Sequence, residues 1–533
     1  MTENTFDYVI IGSGFGGSVS AMRMTEKGYS VLVLERGKRF EDKDFPKSNW
    51  NIWKYLWIPP IRAHGFLQLS FFKRLFVFHS SGVGGGSLVY AGVLMEPDDT
   101  FFSANTWPRK DDWKAILRPH YETARRMLGV ARNPKLTPAD NALKGVAEEL
   151  GFGETFRPTE VGFFFGPEGE EVPDPYFDGK GPPRAGCIHC GGCMVGCRYN
   201  AKNTLPKNYL YFAEENGAVV WPEIMVTDVR PLSDQSDGVR YEVIYHSSTS
   251  LFKVSRSVRA RNVIFAAGTL GTNELLLNCR DIKRSLPDLS PQLGKIVRSN
   301  SEAFLGSFVR NGQEDHSQGL AISSIFHADE VTQIEPVRFS AGSSLIYWII
   351  SSPIIKGGKN ILQRLMQAIV AMIQRPIEFI DMKFGLKWAQ RGTAIMVMQT
   401  EDNLMRLKLG RNLFTFFKRG LVPEHDLDHT IPIDSELAHK VIRSYSKRIG
   451  GYPVGTLPEG LLAMPMTAHM LGGCLMGATA ETGVVDEAFQ IHKYPGLFVV
   501  DGSTVPANPG VNPSLTITAL AEYAMSKIEK KKK

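Results

Sequence analysis

The feature that most constrains this chain is a glycine turn, Gly12-Ser13-Gly14-Phe15-Gly16-Gly17, close to its start. Residues 6–12 read as a buried strand, the stretch to about Lys27 as a helix closed by Gly28, and Tyr29 to Leu34 as a second strand ending in Glu35. That is a βαβ unit, the opening of a doubly wound α/β fold. Gly12 makes the tight turn, Gly14 lets the backbone approach a pyrophosphate, and Gly17 lets the helix pack close to the strand. Glu35, about twenty positions on, is placed to hydrogen-bond ribose hydroxyls. The helix start adds unpaired N–H groups and a positive dipole end. This motif alone fits either a nicotinamide or a flavin dinucleotide.

Related pieces recur along the chain. Val263-Ile264-Phe265-Ala266-Ala267-Gly268 is another buried strand ending in a glycine turn, with a helix expected over Asn273 to Asn278. The pattern returns from Gly496 to Gly502, after which Asn512 as N-cap and Pro513 as first helical residue start a helix that runs to the C-terminus. At 533 residues the chain exceeds one core. The expected division is a discontinuous Rossmann-like domain of residues 1–45, 76–98, 199–300 and 465–533. Residues 46–75, 99–198 and 301–464 form an α+β substrate domain with an antiparallel sheet. Residues 50–78 are aromatic-rich and read as irregular, either loop packing or a lid over an apolar site. The most apolar stretches, 345–355 and 361–373, are expected as core helices; the other reading rests them on a membrane surface.

A composition of 43% hydrophobic and 22% charged residues is that of an ordinary globular protein. The net charge of +6 comes without a basic stripe interleaved with aromatics, so no nucleic-acid partner is expected. No basic, then apolar leader precedes the first strand, and no run reaches the roughly 18–20 apolar residues that span a bilayer. A cytoplasmic location, with at most peripheral and transient membrane contact, is the expectation. Four of the six cysteines, Cys187, Cys190, Cys193 and Cys197, fall within eleven residues at ferredoxin-like spacing. Arg198 stands where that pattern has proline, and no second set exists. Three readings stand: a [4Fe–4S] cluster, a zinc held by thiolates, or reduced cysteines in a buried turn.

A second glycine cluster, Gly82-Val83-Gly84-Gly85-Gly86-Ser87, runs straight into Leu88-Val89-Tyr90, so its backbone can lie flat against a ligand. It resembles the flavin-contacting loop of the glucose–methanol–choline oxidoreductases, most of all their bacterial cholesterol-oxidase branch and its subgroup with a four-cysteine insert. Ala266 to Leu276, His469 to Cys474, Val500 to Ser503, Gly510 to Pro513 and Thr516 to Glu522 match in family order. The resemblance implies FAD, cradled by Gly12, Gly14, Phe15, Gly16, Gly17, Glu35, Gly82, Gly84, Gly85, Gly86 and Ser87. It implies a backbone contact of Val226 with adenine, places Asp501 and Gly502 near ribitol and pyrophosphate, and sets Asn512 and Pro513 at the flavin.

It further implies a catalytic pair, His469 and Asn512. A neutral imidazole suits acceptance of a hydroxyl proton, and an amide offers both donor and acceptor. The expected reaction is oxidation of a hydrophobic alcohol, foremost a 3-hydroxysteroid such as cholesterol, by hydride transfer to flavin N5. Oxygen or an electron carrier would be the acceptor. The alternatives are a dehydrogenase of another apolar alcohol passing electrons through an iron–sulfur cluster, and a non-catalytic electron-transfer or lipid-binding flavoprotein. In that branch a glutamate also shifts the steroid double bond. A little before Thr400 this chain has Gln390, with Glu378 and Glu401 out of register, so isomerisation is not expected.

Overall fold

The computed structural model describes residues 5–532 apart from 109–110, 236, 311, 313, 356–359, 401–402 and 426–434. Strand β1 (Thr5–Ile11) passes through the glycine turn into helix α1 (Phe15–Glu26) and back to β2 (Val31–Leu34). Val9, Ile10, Ile11 and all of β2 are buried, the mark of a parallel sheet covered on both faces. β3 (Val219–Trp221), β4 (Ile224–Pro231), β5 (Tyr241–Ser247) and β6 (Arg256–Phe265) complete the order β3-β2-β1-β6-β5-β4, and Leu497–Val499 also pairs with β6. Ile10 is flanked by Val33 and Ile264 in parallel register, whereas β5 and β4 run antiparallel. The sheet therefore draws strands from the start, middle and end of the chain.

Helix α2 (Gly268–Asn278) follows β6 and starts earlier than the expected Asn273. The Asp501 carboxylate accepts the Gly268 N–H at 2.9 Å, a negative charge at the helix start that favours an early first turn. The last helix covers Ser514–Ser526, with Pro513 as its flanking residue and no side-chain cap. The expected Asn512 cap is thus corrected: the helix starts one residue later, and the Asn512 side chain is engaged elsewhere.

The second sheet is antiparallel throughout. It contains β7 (Ala303–Phe308), β8 (Ser324–His327), β9 (Thr332–Val337), β10 (Gly392–Gln399) and β11 (Tyr452–Thr456) in the order β11-β7-β10-β9-β8. Phe308, Phe339, Tyr347 and Trp388 form one of the cores beside it, and Leu143, Phe326, Val441 and Tyr445 another. Residues 50–78 are more regular than expected, since Leu67–Phe72 and Leu75–Ser80 pair as a hairpin with Phe71 opposite Phe76.

Helices α3 (Leu345–Ile350), α4 (Ile361–Gln374) and α5 (Pro376–Phe384) lie between β9 and β10. The expectation of core helices fails for α4. Only Arg364 and Ala368 are buried on it, while Ile361, Leu362, Met366 and Ile373 are more than half exposed. Its buried stripe is too narrow to enter a core, and Arg364 anchors it by donating to the carbonyls of Glu459 (3.2 Å) and Gly460 (2.8 Å). Among the described residues no helix is long and apolar enough to cross a membrane.

Candidate active site

A cavity of about 1260 Å³ runs from the glycine turn across the end of the first sheet to the second one. Single-ligand pockets usually span about 300–1,000 Å³, so this one has room for a dinucleotide and a second molecule. Its wall includes Gly12, Gly14, Phe15, Gly16, Glu35, Gly85, Gly86, Val226, Asp501, Gly502, Asn512, Pro513 and His469. Of the residues singled out in the sequence, Gly17, Gly82, Gly84 and Ser87 stand behind the wall and shape it.

The glycines divide by what surrounds them. A Cβ on Gly12 would stand 2.3 Å from the Ala266 carbonyl oxygen, one on Gly16 1.8 Å from that of Val500, and one on Gly17 2.1 Å from that of Gly12. These three let backbones touch. A Cβ on Gly14 would meet no atom within 4 Å, so this side of its backbone faces open cavity at the start of α1. No acidic residue occupies the first turn of α1, which leaves the dipole end free for phosphate. The second loop meets the first at Gly85, whose Cβ would lie 2.6 Å from the Gly14 Cα. Gly84 takes a left-handed φ of +104°, and Ser87 pins the loop by donating to the Gly84 carbonyl (2.7 Å) and accepting from Leu205 N (3.1 Å).

Glu35 joins both loops. Oε2 accepts from Ser13 N (3.1 Å) and Oγ (2.7 Å), and Oε1 from Gly37 N (2.8 Å) and Gly82 N (3.2 Å). Asp501 is committed likewise, to Gly268 N, Thr272 Oγ1 (2.5 Å) and Ser503 (2.8 Å to N), and burial raises its pKa. Val226 sits beside a register irregularity in β4, a common device for re-aiming backbone next to a site.

His469 lies where the dinucleotide end of the cavity meets the second sheet. Its side chain is 14% exposed, and among the described residues no protein partner is found for Nε2. Nδ1 is held by the wholly buried Glu302, whose Oε1 meets it while Oε2 accepts the Ala468 N–H at 3.0 Å. The Asn300 amide is 3.3 Å from Nδ1 and donates to the Val511 carbonyl at 2.9 Å, tying His469 to the residue before Asn512. His79 also lines the cavity but is spent: Ser70 and Arg36 contact its nitrogens, and burial with the Arg36 charge lowers its pKa to about 3.

Asn512 lies against the buried Glu335 of β9, and its Oδ1 has no hydrogen-bond partner among the described residues. Burial raises Glu335 to about 8, and Glu459, near Glu302, also to about 8. Sequence reasoning missed Glu302 and Glu335. The available signal was an acidic residue inside a strand whose six residues are all buried, as Glu335 is in β9. The position compared with the family glutamate is corrected: Gln390 sits in the short Trp388–Arg391 helix, away from the cavity wall, and Glu378 pairs with Arg375 at 3.3 Å on the surface. Glu401 lies outside the described residues.

The four cysteines are free thiols, and among the described residues no group of three or more His, Cys, Asp or Glu is arranged to hold a metal ion. Cys187 Sγ accepts from His189 N (3.5 Å) and Cys193 Sγ from Ala321 N (3.3 Å), while burial pushes the Cys193 thiol up to about 12. Lys202 sits beneath this segment, wholly buried, donating to the carbonyls of Leu88 (3.0 Å) and Cys193 (2.9 Å).

Comparison with known proteins agrees with this geometry. Residues 184–280 and 461–521 match models of the GMC oxidoreductase family, and residues 10–40 a Rossmann-like NAD(P)-binding model. A cholesterol oxidase of Acinetobacter baumannii is 44% identical, covering 100% of this chain and 96% of its own length. One of Mycobacterium tuberculosis is 42% identical over 98% of this chain and 90% of its own. A long-chain-alcohol oxidase of Arabidopsis thaliana is 25% identical over 98% and 67%. Among solved structures, pyridoxine 4-oxidase from Mesorbium loti superposes with a TM-score of 0.61 at 15% identity, covering 98% of each chain, which speaks for the fold alone. The two packed glycine loops, the open face at Gly14 and the unpartnered Asn512 oxygen fit the same cofactor. This chain belongs to the GMC oxidoreductase family and is an FAD-dependent alcohol oxidoreductase.

Proposed function

We propose that the enzyme oxidises the secondary hydroxyl of an apolar, sterol-like alcohol, with His469 as proton acceptor and dioxygen as the terminal acceptor. The observation that carries this reading is the meeting of His469 and Asn512 with apolar walls in one cavity. Phe304, Val337, Phe339, Ile346, Tyr347 and Met396 line it beyond the two polar residues. A large apolar ring system buries well there, at about 25 cal/mol per Å². The near relatives named cholesterol oxidases support both the sterol and oxygen.

FAD, when bound, supplies the acceptor for the hydride leaving the carbinol carbon. Gly12, Gly14, Phe15 and Gly16 hold its pyrophosphate against the start of α1. Glu35 would reach its ribose, the Val226 backbone its adenine, Asp501 and Gly502 the ribitol and pyrophosphate, and Pro513 the flavin. Nε2 of His469 takes the hydroxyl proton as the C–H bond breaks. The Asn512 amide orients the hydroxyl oxygen, and the apolar wall excludes water. The cysteines are read as reduced thiols that pack Lys202 behind the second glycine loop. Among the described residues no three of them are arranged to hold a metal ion, which favours this over a cluster or zinc.

The substrate reaches this cavity from a lipid surface. Exposed Phe71, Leu413 and Phe416 stand on its wall, and Lys418 and Arg419 are exposed beside Phe416. Anaerobic mixing with cholesterol tests the substrate: the flavin absorbance should bleach. Bleaching by a long-chain primary alcohol but not by cholesterol overturns the sterol reading. His469→Ala should keep its flavin and lose at least about 100-fold in bleaching rate; an undiminished rate sinks the proton-acceptor assignment.

A further inference from the structure

His469 has two ring nitrogens, and only one is free for the alcohol. The other faces Glu302, which is wholly buried and held in place by the Ala468 N–H. Between Glu302 and Asn300, the carboxylate is the nearer partner of Nδ1, and the stronger bond of the Asn300 amide goes to Val511. With a proton on Nδ1 facing the carboxylate, Nε2 presents a lone pair. The other titratable groups facing Glu302 are Glu335 and Glu459, both of which feel its charge. The His469 imidazole is in direct contact with the carboxylate and can balance it.

Deepening the proton-acceptor reading of His469, on which it rests, we propose that Glu302 is the positioning residue of that base. It fixes the tautomer that leaves Nε2 unprotonated towards the cavity, and it balances the imidazolium once the proton has arrived. In the step itself the alcohol O–H bond breaks and an N–H bond forms at Nε2. The hydride from the carbinol carbon goes to the FAD of the established activity. Glu302 keeps its charge, and no proton crosses to it. Replacing such a carboxylate by its amide holds the ring in place but admits the wrong tautomer, which costs about 10⁴-fold in a serine-protease triad.

The test is Glu302→Gln in the full chain loaded with FAD. Three results are expected together. The downfield Nδ1–H resonance of His469 disappears from the NMR spectrum of histidine-labelled protein, assigned against His469→Ala. Anaerobic bleaching by cholesterol slows by about 100-fold to 10⁴-fold. The half-saturating alcohol concentration and the flavin content stay within about twofold, which a merely structural role would not leave alone. A surviving Nδ1–H resonance overturns the inference whatever the substrate proves to be, and so does an unchanged bleaching rate. Should no alcohol bleach the wild-type enzyme, the proposed function fails, and the resonance still decides the pairing. Glu302→Asp retains the charge and should recover the resonance with part of the rate. An Asp variant as slow as the Gln variant, or resonance-free where the Gln variant does not fold, removes Glu302 from the role.

Discussion

Gly14 and Gly16 are two residues apart, yet their replacement by alanine should separate cofactor binding from folding. At Gly14 a methyl group meets no atom within 4 Å, and φ −71°, ψ −165° suits alanine. Alanine flanks a helix start less well than glycine, by roughly 0.5 kcal/mol or somewhat more. The unfolded chain loses a similar amount of freedom, about 0.4–1 kcal/mol, which offsets it. Flavin-free Gly14→Ala should thus melt within about 2 °C of wild type. The same methyl projects into the space assigned to the pyrophosphate, so FAD should bind at least tenfold more weakly, about 1.4 kcal/mol.

Gly16 behaves oppositely, because its added carbon would lie 1.8 Å from the Val500 oxygen and 2.7 Å from its carbonyl carbon. Both neighbours are backbone, so the loop from Val500 must move; overpacking of this kind costs about 3 kcal/mol or more. Melting of the flavin-free proteins at one scan rate, followed by circular dichroism, measures the first effect; quenching of FAD fluorescence on titration measures the second. Gly14→Ala melting as low as Gly16→Ala, or binding FAD as tightly as wild type, would refute the placement of the pyrophosphate.

Two further outcomes follow from burial. Glu459 has its pKa raised from 4.5 to about 8 in the folded chain, so it contributes most below pH 4.5 and loses that contribution as pH climbs through 8. Glu459→Gln should flatten the fall in melting temperature between about pH 5 and 8, a term of a few kcal/mol, and an unaltered slope would show the carboxyl to be ionised already. Phe416, on the cavity wall, and its neighbour Phe417 are 84% and 67% exposed. Replacing both by serine should lower binding to phosphatidylglycerol vesicles by roughly tenfold or more, given about 1.5–3 kcal/mol for each fully buried aromatic. Oxidation of a water-soluble alcohol should continue at the wild-type rate; equal vesicle binding by the double variant would remove this edge from the lipid contact.

The dinucleotide half was legible because its constraints are local. A Cβ at Gly17 would collide with the Gly12 carbonyl oxygen inside the same turn, so the spacing of that pair already contains its geometry, whereas the neighbour that Gly12 must admit is the distant Ala266. His469 and Asn512 were legible only through the family order of their motifs, and what holds them was not. Glu302 meets a histidine 167 positions later, and Glu335 an asparagine 177 later, with no spacing rule joining either pair. The boundary at Pro513 shifted by one residue for a related reason: the Asn512 side chain turns to Glu335, a tertiary neighbour, and does not cap the helix.

Hydropathy misplaced α4 because an apolar run says that a helix avoids water without saying what replaces it. Arg364 resolves the point. A helix destined for a core has little use for an arginine on its inner stripe, whereas a helix tethered at one edge can use it as the anchor, as the bonds to Glu459 and Gly460 show. The anchor ends on the residue that also binds Phe304 N at 3.2 Å, on the cavity wall. The outward-facing apolar helix is therefore tethered to a residue that also holds the cavity wall.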